Sequence, residues 1–306
     1  MPIHNDFETL RDTPEDLRHL FTKMGWQNVV AFHTCKPMHR LHRELTLLAA
    51  KAAQANILLH PSVGMTKPGD LHYYARVHCY QAIKHHYPHH MAMLSLLPSA
   101  VRMAGPREVL LNAIMRQNYG CSHMIVGPEH AAPPGVRDAE QRYYPRYAAQ
   151  KMMEQYQEQL DIRMVPVREL CYSPDSETCI PGDRQGSNCI RFTDKDLKHH
   201  LEHNLEIPTW YSYPDVIAAL RKVYPPRDRK GVTLFFTGLS GSGKSTLAKI
   251  LYAKFIEEGG RPVTLLDGDV VRLNLSSELG FSREHRNINI RRIAFVASEI
   301  TKNGGI

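Results

Sequence analysis

The six cysteines (Cys35, Cys79, Cys121, Cys171, Cys179 and Cys189) include no C-x-x-C pair. Their spacing indicates neither a zinc site nor a disulfide framework. No apolar run is long enough to span a bilayer, which excludes a transmembrane helix, and no secretory signal pattern opens at Met1. A cytoplasmic protein is expected. The formal net charge is +7, but the basic residues are scattered and form no blocks. Nucleic-acid and membrane partners are therefore not expected, and small polyanionic substrates account for the excess. At 306 residues the chain has length for two domains with real cores.

What the chain does carry is a phosphate loop. Gly238-Leu239-Ser240-Gly241-Ser242-Gly243-Lys244-Ser245 fits G-x-x-x-x-G-K-[ST]. A β-forming run, Val232 to Phe236, precedes it, and Thr246 to Glu258 follows with apolar residues at helical spacing. Glycines let backbone N–H groups close around phosphate oxygens, and a helix N-terminus adds a favourable dipole. Gly238, Ser240, Gly241, Ser242, Gly243 and Thr246 would line an ATP site. Lys244 would reach the β- and γ-phosphates, and Ser245 would hold Mg²⁺.

Upstream, strand and helix signals alternate. Thr13-Pro14-Glu15-Asp16 starts a helix that runs to Met24. Strands are expected over Asn28–Phe32, Asn56–His60, Met91–Leu97 and His123–Val126. Helices are expected over Met38–Ala53, Leu71–His86 and Arg107–Asn118. This rhythm argues for a parallel sheet with helices on both faces, whose ligands bind at the carboxyl ends of the strands. The loops there carry His33 to His42, Pro61 to Asp70, Pro98 to Glu108 and Gly127 to Pro133. His39 and His42 lie three apart at a helix start and share a face. Paired imidazoles there suit a phosphate that gains negative charge in a transition state. Residues 143–167 give a helix and a strand, Cys171 to Cys189 reads as a loop, and Thr193–His203 and Tyr213–Tyr224 read as helices. The cluster His85-His86-Tyr87-Pro88-His89-His90 lacks a spaced carboxylate or cysteine partner and reads as a solvated loop, not a metal site. Pro225 to Lys230 is a stiff, charged linker.

Residues 26 to about 225 resemble ATP sulfurylase (sulfate adenylyltransferase). The resemblance is carried by His60–Asp70, Met103–Glu108, Asn118-Tyr119-Gly120-Cys121 and the pair His39/His42. It implies a Rossmann-like nucleotidyltransferase domain with a small helical subdomain, a nucleotide site built from His39, His42, Arg102, Arg107 and His130, and catalytic roles for His39 and His42. The chain also departs from that family. Cys35 stands where the family has a sulfate-clamping arginine, and a cysteine supplies no bidentate cation. Pro128 replaces an arginine in the nucleotide loop, Asn112 stands where a histidine is usual, and an Ile-Ser-Gly-Thr element is absent near Phe192-Thr193-Asp194-Lys195. These departures imply a lobe that keeps the fold but is impaired in sulfate activation. The opposing reading is that Lys36 or His33 replaces the lost charge.

From Gly231 the chain resembles adenylyl-sulfate kinase. A strand over Val263–Leu266 ends in Asp267-Gly268-Asp269. The resemblance implies that Asp269, Arg272, Phe281, Arg286 and Asn289 hold adenylyl sulfate, with Lys244 and Asp269 catalytic. This part reads as a partial P-loop kinase α/β domain. The domain expectation is a remnant over 1–25, a sulfurylase-like catalytic domain over 26–160, its small subdomain and linker over 161–228, and the kinase part over 229–306. The chain looks like a piece of a longer fused protein, a homo-oligomer acting on ATP and adenylyl sulfate, with sulfate as a further candidate substrate. The expected function is adenylyl-sulfate kinase fused to the impaired lobe. The alternatives are a working bifunctional enzyme, and a front lobe that serves as a non-catalytic assembly or nucleotide-binding module.

Overall fold

The computed structural model describes residues 6–64, 73–133, 142–182 and 188–306. The chain divides into two compact units. One holds the chain up to Lys198 together with Glu206–Val223, and the other holds His199–Leu205 with Tyr224–Ile306.

The first unit is built on five short parallel strands: β1 (Val29–Phe32), β2 (Asn56–Leu59), β3 (Ala92–Leu94), β4 (His123–Val126) and β5 (Arg163–Pro166). Their order across the sheet is β3-β2-β1-β4-β5. All four residues of β1 are buried, as both faces of a doubly wound sheet require. Val29 and Ala31 point into a core with Leu17 and Phe21 of α1 (Pro14–Lys23), Val109 and Ala113 of α4 (Pro106–Asn118), and Ala149 and Met153 of α5 (Ala148–Tyr156). On the other face Phe32 lies 6.1 Å, ring to ring, from His42 of α2 (Arg40–Ala53). Thr13 caps α1 by accepting from the Asp16 amide, while the Asp16 carboxylate accepts from the Thr13 amide.

Helix α3 (Tyr73–Lys84) packs on α7 (Pro214–Val223). The expected start of α3 at Leu71 and the loop residues 65–70 lie outside the described residues. The span from Cys171 to Cys189 contains a hairpin, which corrects the expectation of a loop. Here β6 (Leu170–Ser173) pairs antiparallel with β7 (Thr178–Pro181). A disulfide joins Cys171 to Cys189, a bond that the cysteine spacing did not indicate. Sequence spacing finds no such bond because the partners are eighteen residues apart and meet only once the hairpin has folded. In the histidine cluster His85, His89 and His90 are exposed, as expected of a solvated loop, while His86 is half-buried. His86 stacks on Tyr213 at 3.7 Å between centroids and bonds the Asp215 carboxylate at 2.9 Å. No group of three metal-ligating side chains occurs among the described residues.

The second unit contains α8 (Lys244–Glu258), α9 (Gly268–Leu275) and α10 (Arg283–Lys302). Helix α6 (Asp194–Glu202) runs from the first unit into the second. The strands expected over 232–236 and 263–266 are not formed. A strand exists only through pairing with a neighbour. Val232 N–H donates to Gly305 O, Ile306 N–H to Pro262 O, and Thr264 N–H to Ile306 O. That is too little ladder for either segment to count as a strand, although both carry β-forming residues. Among the described residues no helix is long and apolar enough to cross a membrane.

Candidate functional site

The strand order reverses between β1 and β4, so the loops leaving these two strands flank the crevice at the switch point of the sheet. His33 leaves β1 and His130 follows β4, and their rings meet edge to face at 5.0 Å. Burial and the cations Arg116 and Arg76 push the His33 pKa well down. Burial and Arg116 bring His130 down to about 4. His60, at the end of β2, is buried and likewise held neutral. Neither ring nitrogen of His33 or His60 has a protein partner.

His39 caps α2 and is almost wholly buried. Its Nδ1 meets Ser212 Oγ at 3.0 Å, and its ring lies 4.4 Å from Tyr211. The His39 backbone N–H donates to His42 Nδ1 at 3.1 Å, so the proton of neutral His42 sits on Nε2. Burial lowers His42 to about 4, with Lys36 adding to the effect. The expected histidine pair thus shares a helix start, but as neutral hydrogen-bonding groups and not as cations.

The charge in this crevice comes from two arginines that no motif singled out. Arg116 of α4 is fully buried and lies without a carboxylate among its hydrogen-bond partners. It donates to Asn112 Oδ1 at 2.9 Å and to the His60 carbonyl at 3.2 Å. Burial lowers its pKa to about 10, which leaves it charged at neutral pH. Arg76 of α3, also buried, donates to the Cys35 carbonyl at 3.2 Å. Cys35 itself is exposed, and Lys36 is bound at 2.7 Å to Asp194.

Arg102 and Arg107 are exposed, and among the described residues no hydrogen bond joins them to His130. Their loop is held by a residue that the sequence did not flag. Buried Glu108 accepts the Arg102 and Ala104 amides, both at 2.9 Å. Gly105 N–H donates to Ala131 O at 3.0 Å and ties this loop to the one after β4.

In the second unit the glycine loop runs into α8 at Lys244. Gly241 and Gly243 take φ of 76° and 85°, where a side chain would be strained. Lys244 Nζ donates across the loop to Leu239 O at 2.6 Å. Asp267 caps α9 by accepting the Asp269 amide, which leaves the Asp269 carboxylate exposed on the first turn. Arg272 donates to the carbonyls of Leu279 and Gly280 and lies 4.5 Å over the Phe281 ring, which is 73% exposed. Arg286 and Asn289 share one face of α10, where Asn289 is buried and its Oδ1 has no protein partner. Arg292 has a structural part instead, binding Glu278 at 2.6 Å and the Leu275 carbonyl.

The chain thus joins a doubly wound parallel α/β unit, with imidazoles at its switch point, to a second unit in which a P-loop opens a helix. The ATP-sulfurylase family model matches residues 8–223, and the adenylylsulphate kinase model matches residues 230–306. The chain therefore belongs to the ATP-sulfurylase family, and its last part is similar to adenylylsulphate kinase. It is 48% identical over 303 residues to a sulfate adenylyltransferase of Yarrowia lipolytica, covering 98% of this chain and 53% of the relative. It is 49% identical to one of Phaeosphaeria nodorum, with the same coverage. A solved structure described as a hexameric APS kinase from Thiobacillus denitrificans superposes with a TM-score of 0.84 at 42% identity, covering 100% of this chain and 58% of that one. The chain spans about half the length of the curated relatives it matches. Nothing in these relatives marks the front part as impaired, and the name they carry is that of the front activity.

Proposed function

We propose that the chain serves sulfate activation in two steps. The front part joins ATP and sulfate into adenylyl sulfate and pyrophosphate, and the back part phosphorylates the 3′-hydroxyl of adenylyl sulfate from ATP. The observation that carries the front step is the pair of buried guanidiniums, Arg76 and Arg116, beside neutral His33 and His130. They supply the positive charge that Cys35 does not. Sulfate needs a cation that stays charged when desolvated, and guanidinium meets that need. Neutral His39, His42 and His130 offer directed hydrogen bonds to the phosphates, in a site where positioning and electrostatics do most of the work.

For the kinase step, Lys244 and the glycine-loop amides hold the β- and γ-phosphates, while Asp269 stands at a helix start to take the proton of the attacking hydroxyl. Arg272, Phe281, Arg286 and Asn289 hold adenylyl sulfate, Phe281 by stacking. The exposed Ser245 hydroxyl and Asp269 carboxylate are hard oxygen donors, and Mg²⁺ fits such donors because it keeps several waters and shares the phosphates. When bound it neutralises phosphate charge. A homo-oligomer and a cytoplasmic location accompany this reading.

A second reading keeps the kinase and silences the front part. It is favoured by exposed Cys35 and by Lys36, whose ammonium is engaged with Asp194. Sulfate-dependent pyrophosphate release separates the two. Release at an enzyme-like rate, lost in His39→Ala, supports both steps. No release, with ADP still formed when adenylyl sulfate is added, leaves the kinase alone. Lys244→Ala is expected to cut ADP formation on the order of a hundredfold or more while leaving pyrophosphate release intact. If ADP formation survived that change, the kinase assignment would fall.

A further inference from the structure

Asn112 stands between two groups whose hydrogen-bonding options are few. Arg116 is a donor only, and its Nη1 meets Asn112 Oδ1 at 2.9 Å. That contact settles which end of the amide is oxygen, an assignment that otherwise rests on judgement. The opposite end, Nδ2, is then a donor, and it lies 3.3 Å from His130 Nε2. Two N–H groups cannot share that contact, so Nε2 must be the bare, accepting nitrogen.

We propose that Asn112, locked by Arg116, is a positioning residue that fixes His130 as the neutral imidazole with its proton on Nδ1. The front site then meets an anionic ligand at His130 with one directed N–H and no charge. The consequence for catalysis rests on the front-site reading given above, but the tautomer does not. The groups facing His130 are consistent with it. His33 of the β1 loop presents a ring edge to face at 5.0 Å, and Arg116 of α4 opposes protonation by its charge. Taking up a proton would put a second N–H on Nε2, against the Asn112 donor. An aspartate in place of Asn112 reverses the pattern. One carboxylate oxygen keeps the Arg116 contact, while the other accepts from His130 and calls for a proton on Nε2.

The test is long-range ¹H–¹⁵N correlation of the imidazoles in the full chain, with the His130 signals assigned by their loss in His130→Gln. The expected wild-type result is one tautomer, protonated on Nδ1, with no titration between pH 8 and pH 5.5. Asn112→Asp is expected to move the proton to Nε2 and to raise the His130 pKa by about one unit or more. A wild-type His130 protonated on Nε2, a mixture of tautomers, or titration near the ordinary histidine value would overturn the proposal, and each is read on the wild-type protein once the signals are assigned. An unchanged tautomer in folded Asn112→Asp would overturn it as well. The spectra require no turnover, so they stand apart from the front-site reading. If that reading also holds, Asn112→Asp lowers the kcat of sulfate-dependent pyrophosphate release more than it changes KM for ATP. If the spectra agree and pyrophosphate release is absent in wild type as well, the tautomer stands and the front-site reading falls.

Discussion

At the scale of the residue, the front crevice separates charge from hydrogen bonding. Its five histidines, His33, His39, His42, His60 and His130, are all pushed toward the neutral form by burial. Its charge sits on Arg76 and Arg116. The motif positions were legible in the sequence because spacing alone puts His39 and His42 on one helix turn. The arginines were not, because they lie inside helices α3 and α4 at positions where an arginine normally faces water. Their burial is visible only once α3 and α4 are seated beside the sheet. Arg76→Gln should therefore weaken sulfate use at the front site about tenfold to a hundredfold, the worth of one charge-assisted hydrogen bond, and leave ADP formation at the P-loop unchanged. Initial rates at varied sulfate check this, and an unchanged KM for sulfate would remove Arg76 from the site.

At the scale of the element, the strands of the parallel sheet were legible as short runs rich in apolar residues; the bounds of β4 match those expected, while β3 is only Ala92–Leu94 of the expected Met91–Leu97. The β6–β7 hairpin was not legible, since its span is rich in Pro, Gly, Ser and Asp and lacks a sustained alternation. The Cys171–Cys189 bond staples this hairpin to the segment that follows it. Ile190 bridges Tyr172, Phe192 packs 4.5 Å from Tyr211, and Tyr211 packs on His39. Closing a loop of 18 residues by a disulfide stabilises by about 3 kcal/mol in the chain-entropy account. Cys189→Ser should lower the urea midpoint and speed amide exchange over β6 and β7, with little change in exchange over β1 and β4. Equal exchange rates with and without the bond would show that it contributes nothing. The segments 232–236 and 263–266 carry the opposite lesson. Their residues read as strands, but β-forming residues make a strand only where a cross-strand ladder forms.

At the scale of the whole molecule, the neutral histidines tie stability to pH. Their folded-state pKa values lie below the ordinary 6.5, so the unfolded chain takes up protons first as pH falls. Stability from this source is full above about pH 6.5 and is lost as pH falls toward 4, the value to which His42 and His130 are lowered. Each contributes on the order of 3 kcal/mol across that window. Thermal melts should show Tm nearly flat from pH 8 to 7 and falling steeply below 6. A Tm that held constant down to pH 4.5 would mean that the histidines are charged in the folded chain.

The burial of Arg116 has a different consequence, for residence time. Its charge lies far from any physiological titration and its hydrogen-bond partners are neutral. An anion that enters the crevice is held by a field that proton uptake does not switch off. On the front-site reading, the dissociation rate of a bound oxyanion is therefore expected to stay level from about pH 6.5 to 9 while rising with competing anions.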